Sequence, residues 1–292
     1  MIQLVHRADI QENKWHDLMV KYPGLNPYAC LEYLDAVCKN WSAFVFNDYE
    51  AVLPICWNKK WGVKYIYQPP FLQQMNYVGV TLNQAALDRI KQIIYANFTF
   101  IDLKINIPIS ETTRKNYVLS LKENYDSISQ NYSSQTKKNL KEKEKIELGA
   151  IDIESFLKFY KINTIPKIIN WKKEYEIKQL DLLKLLEIRN ELILLCAKQE
   201  GNIVSMTALI HKPGILIHLM PSSAAEGRAV HGTSVIIDHL IQKFAGKDYI
   251  FDFEGSELDG IAHFNKGFGA INQPYYHLIS DKMSFPFNMF NK

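Results

Sequence analysis

The stretch from Ile215 to Ala270 constrains the fold of this 292-residue chain more than any other part of its sequence. It opens with a short apolar run, Ile215 to Met220, which a proline ends and which predicts a buried strand. A polar loop follows, and apolar residues then recur at helical spacing as far as Gly246, which predicts an amphipathic helix. A second strand is predicted at Tyr249 to Glu254. The order strand, loop, helix, strand predicts an α/β unit.

The loop before the predicted helix has the residues of an anion site. Arg228 supplies a cation, and Gly232, Thr233 and Ser234 open the helix. A helix N-terminus presents unpaired backbone N–H groups and the positive end of the helix dipole, which together bind phosphate. An arginine adds charge-assisted hydrogen bonds. These four residues are therefore predicted to bind a phosphate or pyrophosphate.

Two acids end the second strand. Strand alternation places Asp252 and Glu254 on one face, opposite the aromatic residues. Repulsion between two carboxylates raises the pKa of one of them, which makes it a usable general base. The alternative is that each acid caps a loop or pairs with a lysine. His263 and His277 are further candidate bases, although a lone histidine near aromatic residues is more often structural.

Two segments of this stretch resemble known families. The run Arg228-Ala229-Val230-His231-Gly232-Thr233 resembles the Gln/Arg-x-x-Gly-x-Gly/Ala loop with which GCN5-related N-acyltransferases (GNATs) bind the pyrophosphate of coenzyme A, with the glycine one residue later. The run Phe264-Asn265-Lys266-Gly267-Phe268-Gly269 resembles the Phe-Lys-x-Gly-Phe-Gly segment near the C-terminus of the FemABX aminoacyltransferases. Asn265 stands where that family has its lysine, and Lys266 follows one position later.

The resemblance implies a fold and an activity. FemABX proteins are tandem acyltransferase-fold enzymes that add amino acids from aminoacyl-tRNA to cell-wall precursors. It implies an α/β (α+β) protein of two tandem GNAT-like domains, each a mixed, mostly antiparallel sheet flanked by helices. It also implies acyl-CoA or aminoacyl-tRNA as a donor co-substrate, with no permanently bound cofactor. Lys266 would then stabilise an oxyanion or a phosphate, and the alternative is an ordinary surface lysine.

A shorter segment with a pattern similar to the central stretch supports the tandem arrangement. Asn83 is placed to cap a helix from Gln84 to Asn97, and the strand after it holds Ile101-Asp102-Leu103-Lys104. Phe251-Asp252-Phe253-Glu254 follows the helix at Gly232 in the same way. Two copies of one arrangement are therefore predicted, and the first copy lacks the phosphate loop.

The predicted domains are an N-terminal GNAT-like domain, 1–125, and a C-terminal GNAT-like domain, 126–292, which holds the donor site. A strand at Tyr117 to Leu121 is predicted to close the first domain, and Tyr275 to Ile279 adds a last strand near the C-terminus. The apolar run from Leu180 to Lys198 predicts one long helix.

A proline- and aromatic-rich segment suggests where an acceptor binds. Pro69 and Pro70 remove ladder donors, so this segment cannot be a central strand. In FemABX-like proteins a segment of this kind borders the acceptor site, and the alternative is a rigid connection packed by Phe71. Aromatic and amide side chains suit peptide or sugar recognition, and the expected acceptor is a small-molecule or peptide amine. The residues predicted to line the groove are Tyr67, Gln68, Phe71, Gln73 and Gln74.

Charge leaves tRNA open as a partner. The net charge of +3 is far from the basic excess of a dedicated nucleic-acid binder, so polyanion binding would need a local patch. The run from Ser133 to Lys145 has five lysines against two glutamates. A solvated helix with i,i+4 ion pairs is the favoured interpretation, and contact with a phosphate-bearing donor or a tRNA backbone is the alternative.

The remaining patterns exclude several kinds of site. The sequence has no His-x-Glu, His-Glu-x-x-His or paired-cysteine motif, so no metal site is predicted. Cys30, Cys38, Cys56 and Cys196 are predicted to be reduced and buried, as in a cytoplasmic protein. No secretory signal follows Met1, and no apolar run reaches the ~18 residues of a membrane span.

The favoured hypothesis is an N-acyltransferase that moves an acyl or aminoacyl group from acyl-CoA or aminoacyl-tRNA to an amine. The alternative is a catalytically inactive GNAT-like module that binds a nucleotide-linked or peptide ligand. The sequence leaves the donor, the acceptor and the oligomeric state open.

Overall fold

The computed structural model describes residues 1–22, 27–255 and 257–282. The chain divides into two compact units. Of the described residues, the first contains those of 1–114 together with 274–282, and the second contains those of 115–273. Each unit is built on its own β-sheet.

The described residues form the following strands and helices. The strands are β1 (Ile2–His6), β2 (Asn40–Phe46), β3 (Ala51–Lys60), β4 (Val63–Ile66), β5 (Val78–Gly79), β6 (Phe100–Ile105), β7 (Thr113–Arg114), β8 (Tyr117–Ser120), β9 (Glu147–Ala150), β10 (Leu192–Gln199), β11 (Asn202–Lys212), β12 (Ile215–Ser223), β13 (Ile250–Asp252), β14 (Ile271–Asn272) and β15 (Tyr275–Asp281). The helices are α1 (Glu12–Lys21), α2 (Leu31–Val37), α3 (Gln84–Asn97), α4 (Tyr125–Gln130), α5 (Ser134–Asn139), α6 (Ile153–Asn163), α7 (Lys173–Ile188), α8 (Ala225–Ala229), α9 (Gly232–Phe244) and α10 (Asp259–Gly267).

The two sheets are mixed and mostly antiparallel. In the first unit the strand order is β1-β2-β3-β4-β6-β15-β7, with β5 also paired to β3. In the second unit the order is β14-β8-β13-β12-β11-β10-β9. Among these named strands, β4 pairs with β6 and β12 pairs with β13 in parallel, and the other neighbours are antiparallel. The predicted fold class, two α/β units with mixed sheets flanked by helices, is confirmed.

The division between the units differs from the predicted boundary near Tyr125. The strand β8 was expected to close the first domain, but it pairs with β13 and β14 in the second sheet. The strand β15 returns to the first sheet, where it pairs with β6 and β7. Pairing partners of strands are set by long-range packing, which the local pattern does not contain.

The helix α3 matches its prediction closely. Asn83 precedes it, and its side-chain oxygen accepts the backbone N–H of Ala86 at 2.9 Å. Leu87, Ile90 and Ile94 are the buried residues of the helix. A cap and a periodic apolar face are local signals, so the sequence alone located this helix.

One predicted helix is wrong in its second half. The helix α7 ends at Ile188, and the apolar run from Leu192 to Gln199 is the strand β10 instead. This strand lies inside the sheet, between β9 and β11. A strand of this kind reads as a continuous apolar run, which periodicity cannot distinguish from a buried helix.

Cys38 and Cys56 form a disulfide in the first unit, with their Cα atoms 6.0 Å apart. Cys38 follows α2 directly, and Cys56 lies opposite Trp41 in the pairing of β2 with β3. The prediction of four reduced cysteines is therefore wrong for this pair, while Cys196 is a buried thiol. Because disulfides are rare in cytosolic proteins, the cysteines no longer argue for a cytoplasmic location.

His277, a candidate base, is occupied within the first unit. Arg114 Nε donates a hydrogen bond to His277 Nδ1 at 2.9 Å, and His277 Nε2 lies 2.6 Å from Asp102 Oδ1. Both ring nitrogens are thus engaged, and the ring joins β15 to β6 and β7. This arrangement supports a structural role.

In the second unit α9 packs on the sheet through a continuous apolar cluster. The carboxylate of Asp238, on the same helix, is also buried. It accepts hydrogen bonds from Tyr125 at 2.7 Å, from Tyr132 at 3.1 Å and from Lys143 at 2.8 Å. Lys143 belongs to the lysine-rich run, so at least this lysine holds the fold together rather than binding an external anion.

Candidate functional site

The two parallel strands of the second sheet separate part way along their length. Pairing of β12 with β13 joins Ile215–Ile217 to Ile250–Asp252 and ends there. The strand β12 continues to Ser223 along β11. Its other edge has no strand partner among the described residues from His218 onward, so the sheet opens at this point.

A cavity of ≈ 510 Å³ lies at this opening, wholly within the second unit. The end of β12, the end of α6 with the turn after it, the segment from α8 to the start of α9, and one face of α10 all contribute to its walls. Phe253 and Phe264 supply aromatic surface. A concave, partly apolar cavity with convergent polar groups is the usual form of a small-molecule site.

The start of α9 forms one wall of the cavity. His231, in the left-handed conformation (φ 56°), precedes the helix, and no side chain caps it. Thr233 and Ser234, in the first turn, line the cavity. Arg228 also lines it, and its Nη1 donates to the carbonyl of Ser223 at 2.8 Å, which fixes the side chain at the end of β12. Three of the four predicted anion-binding residues thus meet at one wall.

The fourth residue, Gly232, does not line this cavity. It is buried, and a Cβ at its position would lie 2.7 Å from the hydroxyl oxygen of Ser205. A Cβ here would therefore require the Ser205 side chain to shift, because α9 approaches β11 closely, and this constraint is independent of any ligand.

The two predicted acids lie away from the cavity walls. Asp252 is buried, and its carboxylate accepts the backbone N–H of Glu254 at 2.7 Å. Burial raises the pKa of Asp252 to about 6. Burial and, secondarily, the charge of Glu254 raise the pKa of Tyr160, on α6, to about 12. Glu254 has φ 60°, so strand alternation ends before it, and only Phe253 of this segment reaches the cavity.

The two predicted residues of α10 also lie outside the cavity. His263 and Lys266 are exposed, and the Lys266 ammonium lies 5.7 Å from the centre of the Tyr117 ring. The face of α10 that reaches the cavity carries Ile261, Phe264 and Asn265 instead.

Two polar residues of the cavity were not predicted from the sequence. His218 and Asn265 are 6 % and 2 % exposed. Burial lowers the pKa of His218 to about 4, so its imidazole is neutral at pH 7. Among the described residues, neither His218 Nε2 nor Asn265 Nδ2 has a hydrogen-bond partner. The only sequence signals were a lone polar residue in an apolar strand and an asparagine at a lysine position.

The residues predicted to line an acceptor groove lie between β4 and β5 in the first unit. Several of their polar groups are used locally. Tyr67 accepts the backbone N–H of Lys39 at 3.2 Å, the Gln68 amide donates to the carbonyl of Leu72, and the Phe71 carbonyl accepts from Tyr33. These bonds agree with a rigid connection. The acceptor groove at Tyr67, Gln68, Phe71, Gln73 and Gln74 stays a prediction.

Within the described ranges, no group of three or more His, Cys, Asp and Glu side chains is placed to bind a metal ion. In the same part of the chain, no helix is long and apolar enough to cross a membrane.

Solved structures share this architecture. FemX matches with a TM-score of 0.58 and 12% identity over 85% of this chain and 90% of its own. A tandem GNAT protein from the clavulanic acid biosynthesis pathway matches with a TM-score of 0.57 and 10% identity over 97% of this chain and 99% of its own. L-PGS from Bacillus licheniformis matches with a TM-score of 0.51 and 14% identity over 96% of this chain and 95% of its own. No family model and no curated protein matches the sequence. These likenesses show a FemX-like tandem GNAT fold, as predicted.

Proposed function

We propose that this chain, which has a tandem GNAT fold, is an N-acyltransferase that moves an acyl or aminoacyl group from acyl-CoA or aminoacyl-tRNA to an amine. One observation carries the proposal: the uncapped start of α9 and Arg228 share a wall of the ≈ 510 Å³ cavity at the strand opening. The structural likeness to FemX and to a tandem GNAT protein agrees with it. Both donors are made in the cytoplasm, so a cytoplasmic location belongs to the proposal.

The cavity suits both ends of such a donor. The phosphate of the donor binds the backbone N–H groups at Thr233 and Ser234 and the guanidinium of Arg228. The chain that links phosphate to acyl group runs along the open edge of β12, where unpaired backbone groups can bond an extended ligand. The acyl group then lies deeper, among Phe253, Phe264 and the end of β12.

A binding and turnover experiment tests this function. The purified protein is titrated calorimetrically with CoA, acetyl-CoA and a mixed pool of aminoacyl-tRNAs. Acetyl-CoA is then incubated with a panel of primary amines while release of the CoA thiol is recorded. We expect saturable binding of at least one donor and amine-dependent loss of its acyl group. Absence of binding by every donor would overturn the proposal.

Replacing Arg228 with alanine is expected to weaken donor binding about tenfold to a hundredfold. A hydrogen bond to a charged group contributes about 1.5–3 kcal/mol, and ~1.4 kcal/mol is a factor of ten in Kd. Arg228 is exposed, so the fold should be unaffected. Calorimetry of the Arg228→Ala variant measures the change, and Arg89→Ala, at an exposed position of α3 in the first unit, is the matched control. Equal affinities in all three proteins would remove Arg228 from the site.

The second candidate, a catalytically inactive binding module, is favoured by a different observation. None of the predicted catalytic residues Asp252, Glu254, His263 and Lys266 lines the cavity. Such a module would bind the donor and never release its acyl group. Saturable calorimetric binding without amine-dependent thiol release or deacylation of tRNA would select it.

A further inference from the structure

Two buried hydrogen-bonding atoms face the cavity of the second unit without a partner. They are Nδ2 of Asn265, on α10, and Nε2 of His218, on β12. Buried polar groups in folded proteins are almost always hydrogen-bonded, since an unmade bond costs about 1–3 kcal/mol. Such atoms therefore mark where a ligand atom completes the site.

Several other polar groups of the same walls are already bonded within the protein. The pairs are Thr164 with Ser222 at 2.7 Å, Ser223 with Ser205 at 2.6 Å, Asn163 with the Phe159 carbonyl at 3.1 Å, and Asn139 with Gln135 at 2.6 Å. His218 and Asn265 stand apart from this set. They lie on two different elements, β12 and α10, that line the same cavity.

The chemistry of the two groups limits the atom they bind. An amide NH₂ can only donate, so Asn265 requires an acceptor. A neutral imidazole with its proton on Nε2 also donates. A carbonyl oxygen has two lone pairs and accepts both bonds. Arg228, by contrast, is exposed and is fixed to the Ser223 carbonyl, where it suits a phosphate.

We propose that Asn265 and His218 bind the acyl carbonyl oxygen of the donor and stabilise the oxyanion that forms on it. This inference rests on the proposed function. The amine nitrogen forms a bond to the carbonyl carbon, and the C=O electron pair moves to the oxygen held by the two donors. When the C=O bond re-forms, the C–S bond of a thioester or the C–O bond of an ester breaks. The leaving group takes up the proton that the amine gives up.

This arrangement explains why Lys266 is not needed. A neutral donor in a dry site is preorganised toward the developing charge and needs no rearrangement during the reaction. Lys266 is exposed, whereas Asn265, one residue earlier in the same helix, is almost fully buried.

The test uses variants that keep side-chain volume and lose the donors. They are Asn265→Leu and His218→Phe, and Thr207→Val is the control. Thr207 is buried in the same unit, its hydroxyl also has no partner among the described residues, and it does not line the cavity. Infrared difference spectra of bound acetyl-CoA with a labelled carbonyl report the hydrogen bonds without any turnover.

We expect the carbonyl band to lie at lower frequency on the wild type and on Thr207→Val than on Asn265→Leu or His218→Phe. With an active amine, each cavity variant should lower kcat about 10²- to 10³-fold with little change in KM. Melting temperatures should stay level or rise in all three variants, because each loses an unpaired buried polar group. A merely structural role would instead lower them.

The possible failures are distinguishable. A bound acetyl-CoA carbonyl with the same frequency in wild type and both cavity variants overturns this inference alone. If the wild type turns over and Asn265→Leu and His218→Phe keep its kcat, this inference alone is likewise overturned. Absence of binding by acetyl-CoA and by aminoacyl-tRNA overturns the proposed function, and this inference with it.

Discussion

Replacing Gly227 with alanine is expected to destabilise the second unit by about 3 kcal/mol or more and to abolish donor binding. Gly227 is the buried residue of α8, and a Cβ there would lie 2.0 Å from the carbonyl oxygen of Val204 and 2.5 Å from the hydroxyl of Ser205. A backbone oxygen cannot rotate away. The Val204 carbonyl also accepts the N–H of Ala224 at 3.0 Å, so displacing α8 breaks that bond. Overpacking of this kind costs about 1–3 kcal/mol or more.

Loss of binding follows because Arg228 comes directly after Gly227. If α8 moves outward, the Arg228 bond to the Ser223 carbonyl is lost, and the guanidinium leaves the cavity wall. The same displacement disturbs His231, which sets the entry of the chain into α9. Gly227 thus links the packing of the fold to the geometry of the anion site.

Gly260→Ala is the matched control. Gly260 lies in α10, and nothing stands within 4 Å of the position that a Cβ would take. Alanine favours a helix over glycine, so this variant should be as stable as wild type or up to ~1 kcal/mol more stable. Urea unfolding, with hydrogen exchange followed in peptides from residues 115–273, measures both variants. Equal exchange protection of α8 and β11 in Gly227→Ala and wild type would contradict the expectation.

The glycines show what a sequence can reveal about this fold. The segment resembling the FemABX ending predicted the fold correctly, and its conformational reasons are now visible. A Cβ at Gly267 would lie 2.5 Å from the Thr136 hydroxyl, and Gly269 has φ 83°. Phe268 is fully buried against Tyr132. These glycine and phenylalanine positions meet packing requirements, so the resemblance identified the architecture rather than the proposed reaction.

The residues of the predicted anion site could be located together because their signals are local, while anion binding by them stays a prediction. A cation and small residues at a helix start occur together in the sequence, and Arg228, Thr233 and Ser234 do meet at one wall. The positions of Asp252 and Glu254 were predicted less well, since neither residue lines the cavity. The predicted alternation extended through Glu254, but Glu254 has a positive φ and the strand ends at Asp252, two residues earlier than the pattern indicated.

His218 and Asn265 could not be identified as a pair from the sequence. They are 47 positions apart, on a strand and a helix that only the tertiary fold brings to one cavity. Their burial is equally a tertiary property. An asparagine in a helix is ordinarily a surface residue, and only the absence of a partner atom in the folded unit distinguishes this one.

The pH dependence of stability should separate His218 from Asp252, because their pKa values move in opposite directions. Burial lowers the pKa of His218 from 6.5 to about 4, so the folded protein binds fewer protons here than the unfolded chain. Stability from this group is complete above pH 6.5 and is lost as the pH falls toward 4. Burial raises the pKa of Asp252 from 3.8 to about 6. Stability from this group is complete below pH 3.8 and is lost as the pH rises through 6.

The contributions of His218 and Asp252 to stability change in opposite directions between pH 4.5 and 7.5, so they partly cancel in the wild type. One pKa unit corresponds to ~1.4 kcal/mol, and each group should therefore change the free energy of unfolding by about 2 kcal/mol or more across this range. On acidification from pH 7.5 to 4.5, His218→Phe should gain that amount relative to wild type, and Asp252→Asn should lose it. Urea titrations at both pH values measure the differences. Parallel profiles for His218→Phe and wild type would mean that the imidazole is solvated, and a solvated imidazole has no unpaired Nε2 to offer a carbonyl oxygen.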